Sequence, residues 1–317
     1  MWKGFDKTQY IVHLDELTMR RQKTEVSISA NSQLATQHGF EHILLSPAKV
    51  NLFLKVLSKR VDGYHNIISI VDIISLYDVI HIEEQRDGKV IVKDDKGILP
   101  DGERNTIYKA IMLLKETYKV DSGVRVYVEK NIPVGSGLGG PSSNAATVLK
   151  GMKEIWELSI GDEELMALGS EIGADVPLFL YGKSCIMKGI GEIILPVELP
   201  TLWYLIVYPD VILQTREVYE GLKIVLTKGE NDIKLRGKFE TTRDIAGILE
   251  NDLEKIGILI CPKIDTIKDR LRRTGSIGAL MSGSGSSVFG IFESERAARK
   301  ASNMVSDMGS IFIAHSI

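Results

Sequence analysis

A chain of 317 residues, 44% hydrophobic and 26% charged, is long enough for two domains with cores of their own and is ordinary in composition for a globular protein. Its formal net charge of −3 gives no general attraction to nucleic acid or an anionic membrane, so any phosphate it binds must be held locally, and a small-molecule partner is expected. No run is apolar over the length that spans a bilayer, and Cys185 and Cys261 stand far apart in apolar surroundings with no metal-like spacing, which favours a reducing cytoplasm.

Residues 1–42 mix charges of both signs, are weakly periodic, lack a hydrophobic signal core and are too acidic for a transit peptide, so they are read as an N-terminal extension without an assigned role. From Ile43 the pattern becomes that of a strand. Val50, Leu52, Leu54 and Val56 alternate with Lys49, Asn51, Phe53 and Lys55, which predicts one buried face and puts Lys49 and Asn51 side by side on the other. Asp62-Gly63 marks a turn, followed by strand-like runs at 67–74, 79–83 and 90–92 and a helix over 105–118.

The segment from Asn131 to Thr147 has the composition of an anion cradle. Glycines at 135, 137, 139 and 140 can adopt positive φ and aim successive N–H groups at one point, and a helix opening near Ser142 and Ser143 adds its unpaired N–H groups. The bland alternative is a tight strand-to-helix connection that binds nothing. Two known phosphate motifs do not fit: Gly182-Lys183-Ser184 has Pro177 where a P-loop needs its first glycine, and Gly135-x-Gly137-x-x-Gly140 is followed by another helix (162–173) rather than the second strand of a dinucleotide fold.

Asp175 then sits at a helix end in apolar company, where a carboxylate serves either as a structural cap or, when desolvated, as a general base. Strands are predicted around 184–187 and 203–208, a helix near 217–225, a charged connection over 228–243 and a helix over 262–273. Met281-Ser282-Gly283-Ser284-Gly285-Ser286-Ser287 is a second small-residue loop leading into a strand at 288–292, and an amphipathic helix over 294–308 is expected to close the chain.

Three blocks together resemble the GHMP kinases: Ser46-Pro47-Ala48-Lys49-Val50-Asn51 through Lys59-Arg60-Val61-Asp62-Gly63-Tyr64-His65, the loop from Pro133 to Ala146, and Met281 to Phe289, with Gly173-Ala174-Asp175 between the last two. The first block is most like the branch that phosphorylates a cytidine-diphosphate-linked methylerythritol. The resemblance implies an α+β, two-domain GHMP kinase fold, with an N-terminal ATP-binding domain (43–198) and a ferredoxin-like C-terminal substrate domain (199–317). It implies ATP and Mg²⁺ as cofactors, with Lys49 and Asp175 as the catalytic pair. ATP would be met by Asn105, Pro133, Gly135, Gly137, Leu138, Gly139, Gly140, Ser142 and Ser143. The alcohol substrate would be met by Asn51, Tyr64, His65, Thr215, Tyr219, Ser282, Gly283, Ser284 and Gly285, the two tyrosines clasping the pyrimidine. Pro141 stands where the family usually has glycine, and Asn144 where many members have aspartate. Homoserine or a sugar as the alcohol is disfavoured by the Lys59–His65 block, and a non-catalytic nucleotide-binding protein by retention of Lys49 and Asp175.

Overall fold

The computed structural model describes residues 11–12, 40–222 and 235–317. By contact density the chain divides into two compact units. One comprises the chain up to Ser46 with Tyr77–Asn131 and Pro141–Val176, and the other comprises Pro47–Leu76, Ile132–Gly140 and Pro177–Ile317.

In the first unit, β1 (Ile11–Val12) pairs antiparallel with the start of β2 (His42–Lys59), at Leu44 and Ile43. The second half of β3 (His65–Gln85) pairs antiparallel with β5 (Gly123–Glu129), which pairs in parallel with β4 (Val90–Asp94). Val124, Val126 and Val128 alternate into the core, as the period of a strand requires. Three helices belong to this unit: α1 (Thr106–Tyr118), α2 (Gly140–Ile155, apart from its first residue) and α3 (Asp162–Ile172). Asn105 caps α1, its Oδ1 accepting the Ile107 N–H at 2.9 Å, and α1 buries Ile107, Ala110, Ile111 and Leu114 at helical spacing. α2 does the same with Ala145, Val148, Leu149 and Met152.

The second unit is larger. Residues 47–59 of β2, the first half of β3, β6 (Cys185–Gly189), β7 (Ile193–Pro196) and β9 (Glu250–Asn251) form its first sheet portion, where β6 pairs with β3 and β7, and β9 runs parallel to β2. A separate four-stranded antiparallel sheet has the order β10 (Gly278–Met281), β11 (Val288–Phe292), β8 (Trp203–Tyr208), β12 (Ser310–His315). Alternation along β8 serves two cores at once. Leu205 and Val207 cluster with Ile264, Ile267 and Leu271 of α8 (Lys263–Arg273) and with Ala298 of α9 (Glu295–Ser302), whereas Tyr204 and Ile206 cluster with Val50, Leu52 and Ile70 of the first sheet portion. Short helices α4 (Val176–Tyr181), α5 (Thr215–Glu220), α6 (Thr242–Ala246) and α7 (Glu254–Ile260) are the remaining α-helices among the described residues.

Several sequence expectations change. The runs at 67–74 and 79–83 are one continuous strand of 21 residues, whose residues 67–71 pair with β6 and whose residues 79–85 pair with β5. β2 is buried on both faces rather than one; Lys49 and Asn51 are each only 5% exposed. The helix near 217–225 is α5, ending at Glu220 with Gly221 as its cap, and residues 223–234, including the first part (228–234) of the expected charged connection, lie outside the described residues. The closing helix stops at Ser302; Ser310–His315 forms β12, which fills the sheet edge beside β8. Among the described residues no helix is long and apolar enough to cross a membrane.

Candidate active site

In the second unit, β2 presents Lys49 and Asn51 two residues apart on one face. The Lys49 ammonium donates to Asn51 Oδ1 at 2.5 Å, and the Asn51 amide donates to Ser69 Oγ at 2.9 Å, whose hydroxyl in turn donates to the Phe53 carbonyl at 2.6 Å. Lys49 is therefore a buried cation held by a polar chain rather than a solvated surface lysine.

The first glycine loop, Ile132–Gly140, belongs to the same unit. Gly135, Gly137 and Gly139 have φ of 63, 78 and 78°, the left-handed region that glycine enters without strain. The need for glycine at 137 is steric as well: a Cβ there would lie 2.0 Å from the Ser282 carbonyl oxygen. Leu138 is fully buried and its carbonyl accepts the Lys49 N–H at 3.0 Å, while Pro133 contributes a carbonyl to the Ser136 hydroxyl at 2.6 Å. Gly140 opens α2.

The second loop packs directly on the first. Ser282 Oγ donates to the Gly137 carbonyl at 3.0 Å and accepts the Asn51 N–H at 3.3 Å, and the Ser287 N–H donates to the Ser136 carbonyl at 3.0 Å. Gly283 has φ of 54°, and a Cβ on it would lie 3.0 Å from Asn51 Oδ1 and 3.1 Å from Lys49 Nζ. Ser284 and Thr215 share a hydroxyl hydrogen bond of 3.0 Å, Ser286 donates to the Val211 carbonyl, and Gly285 has φ of 83°. Much of the serine content of this loop is thus engaged in holding the loop itself.

The aromatic positions divide. The His65 and Tyr219 rings lie 5.1 Å apart at 30°, whereas Tyr64 is 57% exposed at the tip of the β2–β3 hairpin, where Asp62 accepts its N–H at 3.1 Å. Partial burial and the nearby Lys59 charge hold the His65 imidazole below its usual pKa, which keeps it neutral at neutral pH.

The first unit holds Asn105, Ser142, Ser143 and Asp175. Asn105 is buried as the cap of α1, and Thr106 beside it donates to the Pro141 carbonyl at 2.7 Å. Pro141 occupies the first turn of α2, where its missing N–H has no intrahelical acceptor to lose. Ser143 and Asn144 are buried, and the Ser46 hydroxyl lies 2.8 Å from both Ser143 Oγ and Asn144 Oδ1. Asn144 Nδ2 is buried with no hydrogen-bond partner among the described residues. Asp175, partly buried, lies in the turn between α3 and α4. Ser46, quoted in the first block but given no role there, proves to organise the start of α2. No local signal in the sequence ties it to residues 97 and 98 positions away.

Comparison with known proteins places this architecture. The model of the GHMP kinases N terminal domain matches residues 105–183, and that of the GHMP kinases C terminal region matches residues 233–311. A 4-diphosphocytidyl-2-C-methyl-D-erythritol kinase of Geotalea daltonii is 42% identical over 269 residues, covering 85% of this chain and 96% of the relative. The crystal structure of a 4-(cytidine 5'-diphospho)-2C-methyl-D-erythritol kinase superposes with a TM-score of 0.71 at 32% identity, over 86% of this chain and 98% of that one. A homoserine kinase from Cytophaga hutchinsonii shares the fold, with a TM-score of 0.65 at 19% identity over 87% of this chain and 94% of that one. The chain belongs to the GHMP kinases, and within them to the family of the 4-diphosphocytidyl-2-C-methyl-D-erythritol kinases.

Proposed function

We propose that this chain transfers the γ-phosphoryl group of MgATP to the 2-hydroxyl of 4-diphosphocytidyl-2-C-methyl-D-erythritol, giving the 2-phosphate and ADP, as a cytoplasmic step in isoprenoid precursor synthesis. The activity named for relatives at about 40% identity supports the substrate. The observation that carries the reaction class is the buried Lys49–Asn51 pair set against two glycine loops whose backbones leave no room for a side chain.

Phosphoryl transfer needs positioning and charge stabilisation more than covalent help. In this reading Asp175 takes the proton of the substrate 2-hydroxyl as its oxygen bonds to the γ-phosphorus and the bond to the β-phosphate oxygen breaks. Lys49, directed by Asn51, orients that hydroxyl. The N–H groups of Gly135 to Gly140 and the first turn of α2, with Ser142 and Ser143, hold the phosphates. The orphaned Asn144 Nδ2 fits this role, since a phosphate oxygen supplies the acceptor it lacks. Among the described residues no three His, Cys, Asp or Glu side chains gather at one place. Nucleotide-bound Mg²⁺ needs no such cage, because it keeps several waters and takes phosphate oxygens; the Ser143 hydroxyl and the Asn144 amide oxygen are the side-chain oxygens suited to it. When bound, Mg²⁺ neutralises charge on the phosphates. Tyr219 with His65, and Tyr64, would grip the cytosine, and the backbone of Gly283 and Gly285 would face the polyol.

The test is ADP release by the purified chain with ATP, Mg²⁺ and a panel containing 4-diphosphocytidyl-2-C-methyl-D-erythritol, homoserine and simple sugars. Turnover confined to the cytidine-linked alcohol supports the reading, and a preference for homoserine or a sugar, or no turnover at all, overturns it.

A further inference from the structure

The second loop is held from outside by a short segment that no motif singles out. Asn251, the last residue of β9, is buried with its carboxamide fully engaged. Nδ2 donates to the Met281 and Gly283 carbonyls, each at 2.8 Å, and Oδ1 accepts the Leu253 N–H at 2.9 Å. Glu254, also buried, accepts the Met281 N–H at 2.9 Å while paired with Lys268. On its other side the segment is tied to β2: Glu250 and Asn251 run parallel to Phe53 and Leu54, and Asp252 accepts the Val56 N–H at 2.9 Å and the Lys55 ammonium at 3.1 Å. One segment thus bonds both the strand that carries Lys49 and Asn51 and the loop whose Gly283 backbone lies against them.

We infer that Asn251 is a positioning residue of the phosphoryl-transfer site: by holding the Gly283 carbonyl it sets how closely that glycine confines the Lys49 ammonium. The inference rests on the kinase reading above. The chemistry selects asparagine, since a carboxamide offers two N–H donors and an acceptor, matching two carbonyls and one N–H. An ionised aspartate offers no donor and faces two carbonyl oxygens; a protonated one offers a single O–H. Loss of the grip displaces Gly283, and with it the lysine, so the effect falls on turnover rather than on nucleotide affinity. The charged groups around the site are Lys49 beyond Gly283, Glu254 with Lys268, and Asp252 and Glu250 with Lys55.

The test compares full-length wild type, Asn251→Asp and Asn251→Ser by ADP release with ATP, Mg²⁺ and the cytidine-linked alcohol, alongside thermal unfolding and calorimetric ATP binding. Asn251→Asp is expected to lower kcat about 10- to 100-fold, the scale of a small misplacement, with ATP affinity near that of wild type. The ratio of its kcat to that of wild type should rise as pH falls, as the carboxyl gains a donor. Asn251→Ser, which keeps one donor and cannot titrate, should lose kcat without that pH response and stands in if the aspartate variant does not fold. Active wild type with variants that lose only thermal stability, or lose ATP affinity in step with kcat, overturns the inference alone. A wild type that phosphorylates none of the panel alcohols overturns the kinase reading and the inference with it.

Discussion

At the scale of single residues, the proposed chemistry rests on Asp175 and Lys49, and each assignment has its own readout. Asp175→Asn keeps the shape and loses the basicity, so kcat should fall about 10²- to 10⁴-fold with a modest change in KM, measured by ADP release in steady state. Lys49→Met should also lower kcat, and the double variant should be far less than multiplicatively worse, because the two residues would act on one proton transfer. A folded Asp175→Asn variant of near-native kcat would return that carboxylate to a structural cap. The proposed pyrimidine site gives a second test. The Tyr219 ring lies against His65, and stacking on it is worth about 1–3 kcal/mol per base, so Tyr219→Ala should weaken binding of the cytidine-linked alcohol about five- to a hundredfold and leave ATP affinity unchanged in calorimetry. Equal losses for both ligands would place the tyrosine elsewhere than the pyrimidine.

At the scale of elements, two structures bear the load. The interlocked loops depend on Gly137, where φ of 78° and a Cβ position 2.0 Å from the Ser282 carbonyl oxygen leave alanine no relief, since the nearest atoms, of Ser282 and Gly285, are all backbone. Gly137→Ala should cost roughly 2–5 kcal/mol in chemical denaturation, the sum of left-handed strain and overpacking, and raise the KM for ATP. The second structure is a polar hub beneath β12. Asp72 of β3, fully buried, accepts hydrogen bonds from Ser184, from Tyr204 at 2.6 Å and from Ser316 at 2.6 Å, joining β3, β8 and the chain end. Desolvation outweighs these bonds and raises the Asp72 pKa above the ordinary carboxylate value. The folded state then holds this proton more tightly than the unfolded chain does, so the contribution of this group to stability is greatest below the unfolded pKa and declines as pH rises toward the folded one. The Asp72→Asn variant should lack that slope, and its stability relative to wild type, read from denaturant midpoints, should improve as pH rises from about 4. A difference independent of pH would show that burial does not raise the Asp72 pKa.

At the scale of the whole molecule, every residue assigned a chemical role lies at Lys49 or beyond, and the relatives align with about 85% of the chain. A chain beginning at Phe40 should therefore keep kcat within about twofold, the range of changes remote from a site. Removal through His42 is a different matter. Phe40 is buried, its ring 5.6 Å from that of His81 and 6.2 Å from that of Tyr127, and the Glu41 N–H donates to the Ile82 carbonyl at 3.1 Å. Loss of that packing should cost about 3–5 kcal/mol in thermal or denaturant unfolding, the range for truncating a buried phenylalanine. Equal stability of the two truncations would show that Phe40 contributes nothing. The packing of Phe40 was not visible in the weak periodicity of residues 1–42.

What the sequence determined by itself is what depends on near neighbours. Glycine at 135, 137 and 139 answers a local backbone requirement, the apolar stripe over 105–118 marks a helix, and the aromatic and β-branched run at 203–208 marks a strand, all within a turn or two of chain. Tertiary structure decided the rest. Two short runs became the single strand β3, paired with β6 at one end and β5 at the other, and Ser310–His315 became a strand because the edge of β8 was open to it. Ser282 reads in sequence as a hydroxyl free for ligand, yet it bridges Asn51 and Gly137, which lie 231 and 145 positions away. Asn251 carries no motif, and its meaning comes from two carbonyls 30 and 32 positions further on. Short-range sterics and hydrogen bonding are written into adjacent residues, whereas the partners of a buried polar group are settled only when packing excludes water and brings distant segments together.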